Sequence, residues 1–341
     1  MRFSRLGVRG CTLLWVLVAA CAHGPPRVSS LPVAPPAAPA PAPEPPLAQA
    51  LRPGEHQSVL NGVRLYYRVQ GESPARLPPV LFLHGGPGYN SYSFSRLMGP
   101  RLEKGRRMVY LDQRGCGHSE RPWTGVYTLE ALLTDLEALR QELGVERWVL
   151  MGHSFGATLA LEYAARYPEH MAGVVYVSGL SDAARSYATW KHEFERLHPG
   201  RIAAASIPAG ASDYTQVMRA LRGLDAQDFF NQLQFHNATY RQMQEAVDAE
   251  SGLRNTGELS RTLFSTELMD YRFSAPERVT TPVLVIGGRY DASIGLDSLR
   301  QLAQALPHAT FLEYEESGHF PYLEEADRFE RDVTRFLTGL P

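Results

Sequence analysis

An α/β fold, built on a mostly parallel central sheet flanked by helices and carrying a helical cap insertion, is predicted by three observations. Short apolar runs alternate with helical stripes over most of residues 55 to 341. The pentapeptide Gly152-His153-Ser154-Phe155-Gly156 stands between one such run, Trp148 to Met151, and an alanine-rich helical stretch. Between about Leu180 and Arg272 the alternation stops and the chain becomes polar and helical with scattered aromatics, after which the apolar runs resume.

In chain order, Val63 to Val69, Val80 to His84 and Arg107 to Asp112 read as strands. Leu129, Leu132, Leu133, Leu136, Leu139 and Leu143 then form a helical stripe that Gly144 ends. The strand before Gly152 leads into a helix from Phe155 to Tyr167, and Gly173 to Ser178 is again strand-like. After the insertion, Pro282 to Ile286 and Thr310 to Tyr314 resume the sheet, and a helix from Glu324 to Leu337 closes it. No internal repeat is evident. The expected organisation is a leader at residues 1–21, a Pro/Ala-rich tether at 22–54, a core at 55–180 and 273–341, and a helical cap at 181–272.

A serine between glycines at a strand-to-helix turn is a nucleophile elbow: the turn is tight enough to strain the serine backbone and push its hydroxyl into the open. Ser154 is therefore the expected nucleophile. Asp291 ends Gly287-Gly288-Arg289-Tyr290-Asp291 directly after an apolar strand, and His319 lies in Ser317-Gly318-His319-Phe320 after another. Both fall at carboxyl ends of strands, where open parallel sheets carry their sites. Serine, acid, histidine is the order of an α/β-hydrolase triad, with His319 as base and Asp291 as its orienting acid. The loop His84-Gly85-Gly86-Pro87-Gly88 also follows a strand, so the backbone N–H groups of Gly86 and Phe155 are the expected oxyanion donors, each worth on the order of 3 kcal/mol in the transition state.

His84 to Gly88, taken with Asp112-Gln113-Arg114-Gly115-Cys116-Gly117-His118-Ser119, resembles the prolyl aminopeptidase (proline iminopeptidase) family of α/β-hydrolases over roughly residues 55 to 341. The elbow departs from the family's best-known members, reading Gly-His-Ser-Phe-Gly where they carry Gly-Gly-Ser-Trp-Gly, a form shared with many esterases. The resemblance implies removal of an N-terminal proline or similar residue from short peptides, with cap glutamates holding the substrate's α-ammonium group. A buried cation needs an opposing charge. Glu193, Glu195, Glu245, Glu250, Glu258 and Glu267 are candidates, with Glu258 chosen first and Glu250 second. The alternatives are a carboxylesterase or lactonase, and a non-catalytic envelope binding protein on the same scaffold.

The formal net charge of −2, with 21% charged residues, gives no basic field for nucleic acid. The eleven histidines include no H-E-x-x-H or similar cluster, so neither a metal nor a cofactor is expected. At the N-terminus, Arg2, Arg5 and Arg9 precede an apolar stretch from Cys11 to Ala20, too short to span a bilayer, and Val18-Ala19-Ala20-Cys21 resembles a bacterial lipobox. That resemblance implies export, lipidation at Cys21 and anchorage to a membrane of the cell envelope. Eleven of the 25 prolines lie between Pro25 and Pro53, an extended tether. Cys116 would then be the only remaining thiol, read as a packing residue near the site.

Overall fold

The computed structural model describes residues 51–74 and 77–341. Cys21, the leader and most of the tether lie outside the described residues. Eight strands form one sheet in the order β1-β2-β4-β3-β5-β6-β7-β8. They are β1 (Gly54–Leu60), β2 (Val63–Gln70), β3 (Val80–Leu83), β4 (Met108–Asp112), β5 (Trp148–His153), β6 (Met171–Val177), β7 (Val283–Gly288) and β8 (Ala309–Tyr314). β2 runs antiparallel to both β1 and β4, and every pairing from β4 through β8 is parallel.

The central strands β3, β5, β6 and β7 are buried at every position, as a sheet covered on both faces requires. Alternate residues serve opposite layers. Leu81, Leu83 and Leu150 point into a core shared with helices α3 (Leu129–Glu142) and α4 (Phe155–Arg166), while Val80, Phe82, Val149 and Met151 face α1 (Tyr92–Leu97) and the C-terminal helix, Ala326–Thr338. Chain order reverses at β3: β4 lies to one side of it and β5 to the other. The crevice beyond the carboxyl ends of β3 and β5 is thus a topological switch point, where α/β sheets bind ligands.

Besides two short 3₁₀ turns, Pro168–His170 and Pro276–Arg278, four elements of the core were not anticipated: β1, α1, the short α2 (Gly99–Leu102) and the helix Leu296–Ala305. β1 is an edge strand whose side chains alternate between partly buried and exposed, so it lacks the continuous apolar run that marks the interior strands. The C-terminal helix is two pieces, Pro321–Glu324 and Ala326–Thr338, separated at Glu325, which lies at φ −126° and ψ 52°.

Six helices stand over the switch point: α5 (Ala183–Leu197), α6 (Arg201–Ala204), α7 (Asp213–Ala220), α8 (Ala226–Gln234), α9 (Ala238–Ser251) and α10 (Glu258–Thr266). Trp190, Phe194, Phe229 and Phe230 pack edge to face at ring separations of 5.2 to 5.4 Å and give this cap a small aromatic core. Its two stalks leave and re-enter the α/β core side by side. Ala183 N–H donates to Tyr271 O at 2.8 Å and Phe273 N–H to Ser181 O at 2.9 Å.

Candidate active site

Ser154 sits between β5 and α4 with φ 55° and ψ −123°, a left-handed-side conformation rare for a residue with a side chain. Its N–H donates to Val177 O of β6 at 2.9 Å, pinning the turn to the sheet. The two flanking glycines are required by close approach. A Cβ on Gly152 would stand 2.2 Å from Gly156 O, and one on Gly156 would stand 2.0 Å from Leu83 O.

Asp291 and His319 come together from the loops after β7 and β8. His319 Nδ1 and Asp291 Oδ2 are 2.9 Å apart, both groups are buried, and Asp291 Oδ1 accepts from the N–H groups of Ser293 and Ile294 at 3.0 and 3.1 Å. The carboxylate thus fixes one imidazole nitrogen and leaves Nε2 for chemistry. Ser154 and His319 line the same cavities, although no hydrogen bond joins Ser154 Oγ to His319 among the described residues. Such contacts often tighten only when substrate binds.

The loop after β3 lies against the elbow. A Cβ on Gly85 would be 3.0 Å from Ser154 Cβ. Gly86 has φ 119°, and a Cβ there would be 2.5 Å from Gly88 N. The N–H groups of Gly86 and Phe155 donate to nothing among the described residues, and both residues line the cavity with Ser154. His84 braces this loop from below: Nδ1–H donates to Gly85 O at 2.9 Å and Nε2 accepts from Gln113 N–H at 3.1 Å. Burial lowers its pKa, so it is a neutral strut. His153 is similar. Burial, then the neighbouring His319, holds it well below the usual histidine range, and its Nε2–H donates to His319 O at 2.8 Å.

The Asp112 to Ser119 loop is scaffolding. Buried Asp112 accepts from Ser91 N–H and Oγ, both at 2.8 Å, and from His118 N–H at 2.9 Å. Arg114 makes a bidentate pair with Asp135 of α3 at 2.6 and 2.7 Å. Cys116 is buried, and burial pushes its thiol well up, which leaves it inert at neutral pH.

Two cavities open on either side of Ser154 and share Gly86, Gln234 and His319 in their walls. One is apolar, with Tyr187, Trp190, Phe230, Phe264 and Leu268 of the cap in its wall. The other is bordered by Tyr89 and by Arg241, Gln244, Glu245 and Asp248, which share one face of α9. Asp248 Oδ1 accepts from Tyr89 Oη and from Gln244 Nε2, the latter at 3.2 Å, while its buried Oδ2 has no partner. Burial raises this carboxyl to about 6.

Neither chosen glutamate lines these cavities. Glu258 is held by Tyr127 Oη at 3.0 Å and Arg121 Nη1 at 3.3 Å, and Glu250 by Tyr92 Oη at 3.0 Å and Arg96 Nε at 3.2 Å. Both are struts docking the cap onto the core. The cap carboxylates that line a cavity with Ser154 are Glu245, one of the six candidates, and Asp248, which was not among them. The signal was in the sequence: Arg241, Gln244, Glu245 and Asp248 recur at helical spacing. Among the described residues no cluster of three or more His, Cys, Asp or Glu is arranged to hold a metal, and no helix is long and apolar enough to cross a membrane.

Residues 78–326 match the model of the alpha/beta hydrolase fold family. A proline iminopeptidase from Heyndrickxia coagulans is 26% identical over 77% of this chain and 91% of its own length, and one from Saccharolobus solfataricus is 27% identical over 81% and 89%. The crystal structure of a proline iminopeptidase-related protein from Thermus thermophilus superposes with a TM-score of 0.71 at 25% identity, covering 85% of this chain and 98% of that one. An enol-lactonase from Burkholderia xenovorans shares the fold, with a TM-score of 0.63 at 22% identity over 83% of this chain and 100% of its own. Elbow, acid and histidine loops on the edge of one sheet, and a family match spanning most of the chain, lead to one conclusion: this chain belongs to the α/β-hydrolase family of enzymes.

Proposed function

We propose that the enzyme removes an N-terminal proline or a similar residue from short peptides through an acyl-enzyme on Ser154. In this reading His319 takes the Ser154 proton as the hydroxyl attacks the carbonyl carbon. Asp291 holds the imidazole tautomer and stabilises the imidazolium, and the Gly86 and Phe155 N–H groups receive the oxyanion. His319 then protonates the departing amine, and water releases the acyl group by the same route. Both ring nitrogens of His84 and Nε2 of His153 are taken by backbone hydrogen bonds, and burial makes both imidazoles weaker bases, so neither competes for the Ser154 proton.

The observation that carries the reading is the asymmetry of the two cavities about Ser154. The apolar one suits a compact ring or aliphatic side chain, and the other is bordered by Asp248, a carboxylate with an unpaired, buried oxygen and no cationic partner among the described residues, whose charge would oppose an ammonium group. The likeness to proline iminopeptidases supports the same substrate class. An esterase or lactonase reading is favoured by the Gly-His-Ser-Phe-Gly elbow and by Arg241 in the acidic cavity, 3.9 Å from Glu245, where a cation would suit an anionic or neutral substrate.

The test is kcat/KM on prolyl-arylamide, alanyl-arylamide, N-blocked prolyl-arylamide and a short-chain aryl ester. Strong preference for the unblocked prolyl amide is the expected outcome. Ester turnover without amide turnover, or indifference to the blocking group, would move the enzyme to the esterase class.

A further inference from the structure

Glu324 is a buried carboxylate with no cationic partner among the described residues, and it ends the one-turn helix Pro321–Glu324 directly after the His319 loop. Its oxygens are spent on backbone. Oε2 accepts from Gly318 N–H at 2.7 Å and from Phe320 N–H at 3.3 Å, the residues on either side of His319. Oε1 accepts from His236 N–H, at 3.4 Å, in the cap turn between α8 and α9. The last turn of α8, just before it, touches the catalytic loops twice more, because Gln234 O accepts from His319 N–H at 2.7 Å and Leu233 O accepts from Ala292 N–H at 3.0 Å. The space is tight: a Cβ on Gly318 would stand 2.4 Å from Gln234 O.

We propose that Glu324 is a positioning residue for His319, its carboxylate binding the histidine loop and the cap turn into one unit so that the imidazole is aimed only when the cap is seated. The inference rests on His319 as the base. Burying a carboxylate without a cation is costly, and three backbone donors are what make it tolerable. Burial still dominates and raises the group to about 7, against the pull of the Gly318, Phe320 and His236 N–H groups and with Asp291 adding to the rise. Around it lie Asp291 and His319 from the two catalytic loops, His236 from the cap, and Tyr322 and Glu325 on its own segment. Protonation removes part of its accepting capacity, so the clamp loosens as pH falls through about 7.

The test compares Glu324→Ala, Glu324→Gln and His319→Ala with the parent enzyme, measuring kcat and KM separately, the rate of Ser154 labelling by a small phosphonate, thermal midpoint and pH profile. A Gln side chain can still accept from the histidine loop but must turn its NH2 on the His236 N–H. The expected result for Glu324→Ala is a fall of about ten- to a hundred-fold in kcat and in labelling rate with KM nearly unchanged, the scale of a misaimed group. Glu324→Gln is expected to fall less, and the acid limb of its kcat/KM profile to become shallower, with one ionisation fewer than the parent. Folded Glu324 variants with parental kcat, labelling rate and pH profile, beside an inactive His319→Ala, would overturn the positioning role. An active His319→Ala would instead remove the base assignment on which it rests.

Discussion

Strand β5 is buried at all six of its residues, whereas the cap helix α9 buries one of fourteen, Gln244, and this contrast separates where the chemistry is held from where the substrate is chosen. Around Ser154 the backbone is so close that a single Cβ on Gly152 or Gly156 would overlap main-chain atoms. Interiors of that density transmit any displacement to the reacting atoms. The cap is fastened differently. Side chains at its rim, Glu250 on Tyr92 and Arg96 and Glu258 on Tyr127 and Arg121, dock it to the core through solvent-accessible contacts. Substitutions in the two regions should therefore differ in kind: core changes act on kcat, changes on the cavity face of α9 act on which substrates bind, and rim changes act on little.

The largest effect belongs to the elbow. Ser154→Ala should lower kcat by about 10⁵- to 10⁶-fold, the scale seen when a serine nucleophile is removed, while leaving the thermal midpoint nearly in place. Its hydroxyl makes no helix-capping hydrogen bond among the described residues, so the loss is chemical. Retention of most activity by a homogeneous Ser154→Ala preparation would erase the distinction between the regions, because the switch-point crevice would no longer be the reaction site.

Asp248 is the sharper test of the cap. Asp248→Asn should reduce kcat/KM on unblocked prolyl-arylamide about ten- to a hundred-fold, the loss of one charge-assisted contact, and leave an aryl ester nearly untouched. Equal losses on both substrates would mean that α9 supports the catalytic centre itself and does not sort substrates. The carboxyl is raised to about 6 by burial, which outweighs the Tyr89 and Gln244 donors. In the parent enzyme KM for unblocked substrates should thus rise as pH falls through about 6, where the anion is lost. For stability the sign is opposite. A group whose pKa rises on folding contributes stability below its unfolded value, near 3.8, and that contribution is lost as pH rises through about 6. Asp248→Asn should remove this component from a plot of thermal midpoint against pH.

The same contrast explains what the sequence could tell. Interior strands such as Val80 to Leu83 and Val283 to Gly288 are continuous apolar runs, and the loops that follow them carry glycines that only backbone contact demands, so fold and candidate triad were both legible. Edge strand β1 was not, because one of its faces is wet and its alternation is shallow. The break at Glu325 was hidden for another reason. The helix expected from Glu324 to Leu337 starts only at Ala326, and the two residues before it turn their carboxylates back onto the histidine loop, Glu324 to Gly318 and Phe320 and Glu325 to Glu316 and Ser317. In the cap, a glutamate's partner lies more than a hundred residues away, so Glu258 on Tyr127 and Glu250 on Tyr92 look in sequence like any other polar helix positions.

The smallest predicted effect is the one that tests the division most economically. Glu258→Gln keeps the side-chain volume and can still accept from Tyr127 Oη, losing only its charge opposite Arg121, a pair whose members are 34% and 60% exposed. Pairs that accessible contribute less than about 1 kcal/mol. If Glu258 only docks the cap, kcat/KM on prolyl-arylamide should change by less than about two-fold, and the preference for an unblocked amine should be unaltered. If instead the amine preference collapses while the ester rate holds, Glu258 reaches the substrate in a cap arrangement different from this one. The acidic cavity beside Asp248 would then be a secondary feature, and the line between docking rim and selecting face would have to be redrawn through α10.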